Sequence, residues 1–522
     1  MNTFRRRCAA LALLFFCLAS LPAFARDIVI FYTSDTHGHI FPGEKTLGLD
    51  RVAGIVRATP GAILLDAGDF LHGKPAAVMS QGKDVVRLMK QAGYLAATAG
   101  NHEFDYGRET LERRRREAEM PPDSMAVLAA NVFCEDGSPL LTPETEVVRE
   151  GFRVCVFGLT IPATPKQAGA STVRGLRFAS PFATGRAIAA AQKQRGCNLV
   201  VALTHIGSDP SDPENSRVLA AGTPGIDVVI DGHSHVVLNE RPEQAAGQAA
   251  GQTAGRAAGE PAGALLVSPG AHGRLLGRLD VSLDDATGAV TGIQNRFIGP
   301  EQAALMPADQ GLADALQRYR TSLDKFLAVP LGTLEADFPA EKREARLRET
   351  AFGDLCADVI RSAYNDQLAL FNGGAIRAPL HKGEMTRGDL LAALPYADAV
   401  VSLEVTGREL LDILEHGFSR LPDPFGGFPQ VSGFSVRVRP ANPSGSRVVG
   451  VTLADGAPLE PDRVYTLGVS SFLAGGGDGY PHLAAGKAGK SSAHMEDLFL
   501  RFIRESGTAA YAGGPAGRIV LE

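Results

Sequence analysis

The chain has 522 residues, of which 45% are apolar and 21% are charged; these proportions exclude wholesale disorder and a coiled coil. Lysine and arginine total 52 against 58 aspartate and glutamate, a formal net charge of −6, so no basic field attracts a nucleic-acid polymer. At about 150 residues per domain, the length predicts two or three domain-sized units.

The N-terminal segment predicts export. Three arginines, Arg5–Arg7, precede an apolar run from Cys8 to Leu21, and Ala23-Phe24-Ala25 offers a cleavage site. This is the pattern of a cleavable secretory signal peptide over 1–25. The run is shorter than the about 20 apolar residues of a spanning helix, so a membrane anchor is the lesser alternative. We expect a periplasmic or secreted protein with no stable membrane insertion after cleavage, and nothing here implies a protein partner.

The mature chain would keep four of the six cysteines, and none of them has CxxC spacing, so no thiolate metal site is expected. Cys155 lies in the apolar run Val154 to Leu159 and is predicted to be a buried small hydrophobe. An oxidising compartment allows a disulfide, but the sequence does not assign its pairing.

From Asp27 to about Leu283, short β-branched runs alternate with helical stretches, the pattern of an α/β domain whose strands are buried on both faces. The predicted strands are Ile28–Tyr32, Ile63–Asp66, Ala126–Val132, Val154–Leu159, Leu199–Thr204 and Val228–Ile230. The predicted helices are Leu49–Ala58, Lys83–Gln91, Arg108–Ala118 and Thr184–Gln194.

Composition divides the chain further. Within the first domain, 26–300, the Gly-, Ala- and Gln-rich segment 243–263 predicts a flexible surface insertion. A helical stretch from about Gln310 to Phe326 predicts a linker helix in 301–330, and a second α/β unit is expected over 331–522.

Metal-capable side chains follow five apolar strands directly. These are Asp35 and His37, Asp69, Asn101, His205, and His233 and His235. Ligands collect at the carboxyl ends of strands in α/β sheets, and imidazole, carboxylate and amide without thiolate suit borderline divalent ions. Too many ligands are present for one ion, whereas two ions about 3.5–4 Å apart, bridged by a carboxylate, are the usual device for phosphate ester hydrolysis. Six other histidines are expected to be surface loop residues: His39, His72, His381, His416, His482 and His494.

These motifs resemble those of the calcineurin-like metallophosphoesterases. The string from Gly100 to Asp105 is typical of the bacterial 5′-nucleotidase and UDP-sugar hydrolase family, and the segments 372–377 (NGGAIR) and 475–480 (GGGDGY) are similar to the signatures of its C-terminal domain. The resemblance covers the mature chain apart from 243–263. It implies an α/β fold, a four-layer metallophosphoesterase β-sandwich flanked by helices, joined by a helical linker to a smaller α/β substrate-binding domain.

The resemblance also implies two divalent ions, Mn, Zn, Co or similar, bridged by Asp69. One ion would be held by Asp35, His37, Asp69 and His235, and the other by Asp69, Asn101, His205 and His233. His102 would stabilise the transition state or protonate the leaving oxygen, and Asp105 would orient its imidazole. Some members of the family have Gln in place of His235, a difference that bears on metal preference.

The second domain would select the substrate. By the resemblance, Tyr396 and Phe472 would sandwich a base, and Tyr keeps the π-face that stacking needs. Arg346 and Arg377 would grip phosphate or ribose, while Asn372 and Asp478 would bond phosphate and ribose hydroxyls. The alternative makes Tyr396 and Phe472 core residues and Gly475–Gly479 a turn.

The expected function is therefore an exported dinuclear phosphohydrolase that cleaves nucleoside 5′-monophosphates to nucleoside and phosphate. A UDP-sugar hydrolase and a 2′,3′-cyclic-nucleotide 2′-phosphodiesterase with 3′-nucleotidase activity are the enzymatic alternatives. The thiosulfohydrolase of sulfur oxidation is a more distant relative of the same fold, whose catalytic motif replaces the Asn-His pair that this chain keeps. A non-catalytic nucleotide-binding surface protein is the alternative of a different class, but such a decayed enzyme should have lost ligands, and none of the expected ligands is missing here.

Overall fold

The computed structural model describes residues 26–168, 172–242, 263–341, 343–396, 399–480, 483 and 487–522. The predicted signal peptide and residues 243–262 of the predicted insertion lie outside the described residues. Among the helices that are described, none is long and apolar enough to cross a membrane.

The first half contains fourteen described strands and nine described helices. In chain order the strands are β1 (Arg26–Thr33), β2 (Ile63–Asp66), β3 (Ala96–Thr98), β4 (Ala126–Leu128), β5 (Val132–Cys134), β6 (Glu144–Arg149), β7 (Phe152–Thr160), β8 (Leu176–Phe178), β9 (Leu199–His205), β10 (Val228–Asp231), β11 (Val237–Glu240), β12 (Leu265–Pro269), β13 (Leu276–Leu283) and β14 (Val290–Ile298). The helices are α1 (Leu49–Arg57), α2 (Pro75–Val78), α3 (Lys83–Ala92), α4 (Arg108–Glu119), α5 (Thr164–Gln167), α6 (Pro181–Gln194), α7 (Ser216–Gly222), α8 (Pro300–Ala304) and α9 (Gln310–Leu327).

Two six-stranded mixed sheets pack face to face in this half. Their strand orders are β14-β13-β1-β2-β3-β4 and β11-β12-β10-β9-β7-β6. Alternate residues of β1, such as Ile28 and Ile30, enter the core between the sheets, whereas Phe31 packs into the outer core with helices α1 and α3. Burial on both faces explains why these strands are apolar throughout. The layers of helix, sheet, sheet and helix confirm the predicted four-layer sandwich.

Helix α9 contains the predicted helical stretch. The Asp309 side chain accepts the Leu312 N–H at 2.7 Å, an N-terminal cap. The apolar face of α9, which includes Leu316 and Leu323, packs into the outer core of the first half. The hydroxyl of Tyr319 donates a hydrogen bond to the Ala76 carbonyl. This packing fixes the helix against the first half of the chain.

The second half is a smaller α/β unit. Its strands are β15 (Pro330–Leu334), β16 (Leu368–Asn372), β17 (Gly383–Thr386), β18 (Ala399–Thr406), β19 (Pro429–Ser432), β20 (Phe434–Val438), β21 (Val448–Leu453), β22 (Val464–Ser470), β23 (Lys487–His494) and β24 (Ile519–Leu521). Its helices are α10 (Ala351–Tyr364), α11 (Arg387–Ala393), α12 (Gly407–Phe418), α13 (Ser471–Ala474) and α14 (Met495–Ser506). A five-stranded sheet, β19-β16-β22-β18-β23, lies between two apolar cores, one containing α10 and α14 and the other α12.

Two local features differ from the sequence expectation or complete it. The predicted strand Ala126–Val132 is two strands, because the chain leaves the first sheet at Ala130, whose N–H donates to Gly158 of β7 at 2.8 Å. The side chain of Asn131 then accepts the Thr160 N–H at 2.9 Å. Cys155 is buried as predicted, and it forms a disulfide with Cys197, 42 residues further along the chain.

Candidate functional site

The predicted ligands meet where the carboxyl ends of both sheets of the first half come together. Asp35, Asp69 and Asn101 follow β1, β2 and β3, while His205 ends β9 and two histidines follow β10. Five of these residues have left-handed backbone, with φ between 44° and 80°: Asp35, His37, Asp69, His233 and His235. Such backbone costs about 1–3 kcal/mol per residue and clusters at functional sites.

Asp69 lies at the centre of this group. Its Oδ2 is 3.2 Å from Nε2 of His205 and 3.6 Å from Nε2 of His37, and its Oδ1 accepts the His102 N–H at 3.0 Å. Burial opposes ionisation, but the charges of the neighbouring histidines outweigh it and hold the pKa of Asp69 well below its usual range. A buried ionised carboxylate among three imidazoles is suited to bridging cations.

A second group surrounds Asp35. Its Oδ1 is 3.2 Å from Nε2 of His235, and its carboxylate accepts the His233 N–H at 3.1 Å. Nε2 of His37 and Nε2 of His235 lie 3.1 Å apart. On the other side, Nδ1 of His233 is 3.0 Å from Oδ1 of Asn101. All seven predicted metal ligands therefore converge on one place.

The residues present fit divalent cations. The Nδ1–H of His205 donates to the Ala67 carbonyl at 2.7 Å, so Nε2 is the ring nitrogen left to face the cluster. That Nε2 is buried and has no hydrogen-bond partner, a costly state for a polar atom. Imidazole and carboxylate suit borderline ions, and a cation would satisfy this nitrogen. The atoms of Asp35, Asp69 and His205 lie within 4.8 Å of one another, as do those of Asp35, His37 and His235.

Close packing and a buried carboxylate hold this geometry. A Cβ on Gly100 would lie 2.1 Å from Oδ1 of Asp69, so only glycine fits there. The Glu103 carboxylate accepts four backbone N–H groups at 2.6–2.9 Å, those of Asp69, Phe70, Leu71 and Gly100. Burial and the charge of Asp69 raise the pKa of Glu103 to about 7. Sequence reasoning missed this role, although the position of Glu103 two residues after Asn101 could have signalled it.

His102 and Asp105 form the predicted pair, with Nδ1 of His102 2.6 Å from Oδ2 of Asp105. Burial alone would lower the pKa of His102, but the charges of Asp105 and Asp69 outweigh it and raise that pKa to about 10. His72 is 5% exposed, and its Nδ1 lies 3.2 Å from the same Asp105 oxygen. The expectation that His72 is a surface loop residue is therefore wrong; its place three residues after Asp69 was the available signal.

Five further histidines were expected on surface loops. His416 is also misjudged, since it lies on α12 and its Nε2 is 2.9 Å from the Asp478 carbonyl. His39 is half-buried, with its ring 4.7 Å from that of His272. His381 is exposed, as expected. His482 and the side chain of His494 lie outside what the structure describes.

A cavity of about 500 Å³ opens between the two halves of the chain, within the range of small-molecule sites, about 300–1,000 Å³. One wall carries His72, His102 and Asp105. The other carries all six predicted substrate-binding residues: Arg346, Asn372, Arg377, Tyr396, Phe472 and Asp478. The structure thus brings the predicted substrate-binding residues to the same cavity as the predicted catalytic pair, His102 and Asp105.

Contacts within the second wall leave groups free for a ligand. Tyr396 is 37% exposed, so it is not a core residue, and the Arg377 guanidinium donates to its hydroxyl. The Asn372 amide donates to Asp478 at 2.8 Å, while Oδ1 of Asn372 is buried without a partner. Burial raises the pKa of Asp478. Phe425, which sequence reasoning did not single out, adds a third ring to the lining.

The matches to known proteins agree with this geometry. The family model for calcineurin-like phosphoesterase matches residues 28–237, and that for the 5′-nucleotidase C-terminal domain matches residues 330–485. The chain is 25% identical to protein UshA of Escherichia coli over 92% of each. It is 26% identical to the trifunctional nucleotide phosphoesterase protein YfkN of Bacillus subtilis over 92% of this chain, which spans only 34% of that protein's length. The 5′-nucleotidase precursor structure from Thermus thermophilus superposes with a TM-score of 0.65 at 27% identity, covering 95% of this chain and 99% of that one.

The fold, the metal-capable cluster and these matches define a metallophosphoesterase, and the protein is a phosphoric ester hydrolase. More particularly, the chain belongs to the 5′-nucleotidase family, in which a calcineurin-like phosphoesterase domain precedes a 5′-nucleotidase C-terminal domain. The predicted family and two-domain α/β architecture are confirmed.

Proposed function

We propose that the protein is an exported 5′-nucleotidase that hydrolyses nucleoside 5′-monophosphates to nucleoside and phosphate. One observation carries this proposal: a single cavity has His102 and Asp105 on one wall and Tyr396, Phe472 and Arg377 on the other. A nucleotide has a phosphate for the first wall and a base for the second.

Seven side chains would hold two divalent ions. Asp35, His37, Asp69 and His235 would hold one, and Asp69, Asn101, His205 and His233 the other, with Mn, Zn or Co as the candidate metals. When bound, such a pair activates water as a nucleophile near neutral pH and neutralises phosphate charge. The partnerless Nε2 of His205 and the low pKa of Asp69 support this assignment.

His102 would act on the leaving oxygen. Because Nδ1 of this ring is held by Asp105 at 2.6 Å, Nε2 is the nitrogen free to donate a proton. The raised pKa of His102 favours the protonated ring that such a donor needs. Asp105 would fix the ring orientation, which matters because positioned acid catalysis contributes typically about 10²–10⁴-fold.

The second wall would choose the substrate. Tyr396 and Phe472 would stack on the base, with each ring worth about 1–3 kcal/mol. The guanidinium groups of Arg346 and Arg377 would bind phosphate or ribose oxygens. Asn372 and Asp478 would complete the contacts with phosphate and ribose hydroxyls.

Export and domain division are part of the same proposal. We assign 1–25 to the signal peptide, 26–300 to the phosphoesterase domain, 301–330 to the linker and 331–522 to the substrate-binding domain. The disulfide between Cys155 and Cys197 supports an oxidising compartment, since disulfides persist mainly outside the cytosol.

A substrate panel tests the proposal. The purified mature protein is assayed with AMP, UDP-glucose, 2′,3′-cyclic AMP and bis-4-nitrophenyl phosphate, each with Mn, Co and Zn. We expect the highest kcat/KM for AMP. A higher value for UDP-glucose or the cyclic nucleotide would replace the proposal with the corresponding alternative, and binding of AMP without turnover by any metal form would favour a non-catalytic nucleotide-binding protein.

A further inference from the structure

Two histidines share the carboxylate that orients the catalytic imidazole. Nδ1 of His102 lies 2.6 Å and Nδ1 of His72 lies 3.2 Å from Oδ2 of Asp105. The two rings are stacked, with centroids 5.7 Å apart and planes 13° apart. Orienting His102 requires Asp105 alone, so the second imidazole is not explained by the hydrolytic reaction.

The three side chains form a ligand set of their own. Their ligating atoms lie within 4.8 Å of one another, and none of the three is among the seven predicted ligands of the two ions. Two imidazoles and a carboxylate are one of the protein ligand sets of zinc, with metal–ligand distances of about 2.0–2.2 Å. Tetrahedral angles at those distances separate two ligand atoms by about 3.3 Å. The 3.2 Å between His72 and Asp105 already has this value.

The position is also accessible. His72, His102 and Asp105 all line the cavity, so an ion can reach them and keep its remaining coordination position towards that space. Hard ions such as Mg²⁺ and Ca²⁺ prefer oxygen ligands, whereas imidazole favours zinc, copper and nickel. The chemistry of the three residues therefore selects a borderline ion rather than a hard one.

We propose that His72, His102 and Asp105 bind a third divalent ion of the zinc class, and that this ion inhibits the enzyme. To admit the ion, the Nδ1 protons of His72 and His102 leave to solvent, and the 2.6 Å contact between His102 and Asp105 widens to about 3.3 Å. This shift displaces the His102 ring, and with it Nε2, from the position that serves the leaving oxygen. The inhibition rests on the proposed function, because it presupposes the role of His102; the binding of a third ion does not.

Metal stoichiometry and activity are measured together on the full mature protein. The two-zinc enzyme is dialysed against increasing free Zn²⁺, and the zinc content per chain is determined by mass spectrometry. Hydrolysis of AMP, whose leaving oxygen needs a proton, is followed at each concentration. We expect three ions per chain at saturation, with activity falling as the third binds. His72→Asn should stop at two ions, and its half-inhibitory zinc concentration should rise by at least about tenfold, since losing even a supporting residue costs about 10–100-fold in metal affinity.

His39→Asn is the matched control. His39 is a half-buried histidine whose ring neighbour is His272 rather than Asp105, so this variant should behave as the wild type. His102→Ala removes a second ligand of the third site and should also bind only two ions, which keeps the test decisive should His72→Asn fail to fold. Each activity is compared with that of the same variant before the third ion is added.

The outcomes separate the two proposals. Saturation of the wild type at two ions, or a third ion that binds His72→Asn as tightly, would overturn the third site. Three ions bound without inhibition would overturn the inhibitory role. Failure to hydrolyse AMP, with a third ion that still binds the wild type, would leave the third site standing and remove the nucleotidase assignment together with the inhibition that rests on it.

Discussion

Gly100→Ala tests the placement of the bridging carboxylate with one added methyl group. The new Cβ would lie 2.1 Å from Oδ1 of Asp69 and 2.8 Å from Nε2 of His205, whereas ordinary contact begins at 3.4 Å. The Asp69 carboxylate would therefore move by about 1.3 Å, which breaks its contacts with His205 and with the N–H of His102. A misplacement of about 1 Å can cost about 10²-fold in rate. We expect kcat/KM for 4-nitrophenyl phosphate to fall at least that far, with weaker metal retention.

The assay needs a control for the methyl group itself. Gly292 lies on β14, and no atom lies within 4 Å of the position that a Cβ would occupy there, so Gly292→Ala adds the same group to open space and should keep wild-type activity. Metal content after dialysis and the circular dichroism spectrum are recorded for both variants. A folded Gly100→Ala protein with wild-type metal content and kcat/KM would refute the assignment of Asp69 to the reacting centre.

Three further predictions concern the metals, the acid and the disulfide. EDTA should abolish activity, and Mn, Co or Zn should restore it. Asp69→Ala should lose both ions, because this one residue bridges them. Two tightly bound ions in that variant would contradict the bridging role of Asp69. His102→Ala should keep two ions in dialysed protein and lose about 10²–10⁴-fold in kcat for AMP. The loss should be smaller for 4-nitrophenyl phosphate, because its leaving group needs no proton. Loss of the two ions would instead make His102 a ligand. Replacing Cys155 and Cys197 by Ala should lower the free energy of unfolding, measured in urea, by up to about 4 kcal/mol, because the disulfide closes a loop of 42 residues in the unfolded chain. An unchanged urea midpoint of unfolding would show that the bond contributes nothing to stability.

The metal ligands were predictable because their positions follow from local sequence and one topological rule. Each follows an apolar run that is too short for a helix, and parallel strands end at the same edge of a sheet. Asp35 after β1 and His205 at the end of β9 lie in different sheets, however, and the contact of Asp69 with His205 depends on how those sheets face each other. The family resemblance, rather than periodicity, supplied that pairing.

The errors share a physical cause, which is burial by distant parts of the chain. His72 follows a strand and has the local pattern of a loop residue, yet it is largely buried, because its Nδ1 lies 3.2 Å from Asp105 and it lines the wall of the cavity between the two halves. Asn131 similarly continues an apolar run but bonds to β7 instead. No window of sequence around either residue contains the partner that decides its environment.

Phe472→Ala tests whether the second wall recognises a base. Phe472 lines the cavity, and its ring packs so closely on Gly477 that a Cβ there would lie 2.5 Å from it; the ring is therefore held in place beside Asp478. Stacking on one base is worth about 1–3 kcal/mol, or roughly tenfold to a hundredfold in affinity. Hydrolysis of 4-nitrophenyl phosphate needs the metal centre but no base contact, so its rate should change little.

The decisive measurement is the ratio of kcat/KM for AMP to that for 4-nitrophenyl phosphate, in the wild type and in Phe472→Ala. We expect the ratio to fall by about tenfold to a hundredfold, with purine nucleotides losing more than pyrimidine nucleotides because their rings overlap more. Remote binding energy also positions the ester, so kcat can fall together with a rise in KM. Phe133→Ala, a partly buried ring on β5 outside the cavity, should leave the ratio unchanged. If Phe472→Ala leaves it unchanged as well, the ring only fills space, and the protein is a phosphoesterase whose second domain does not select nucleotides through this residue.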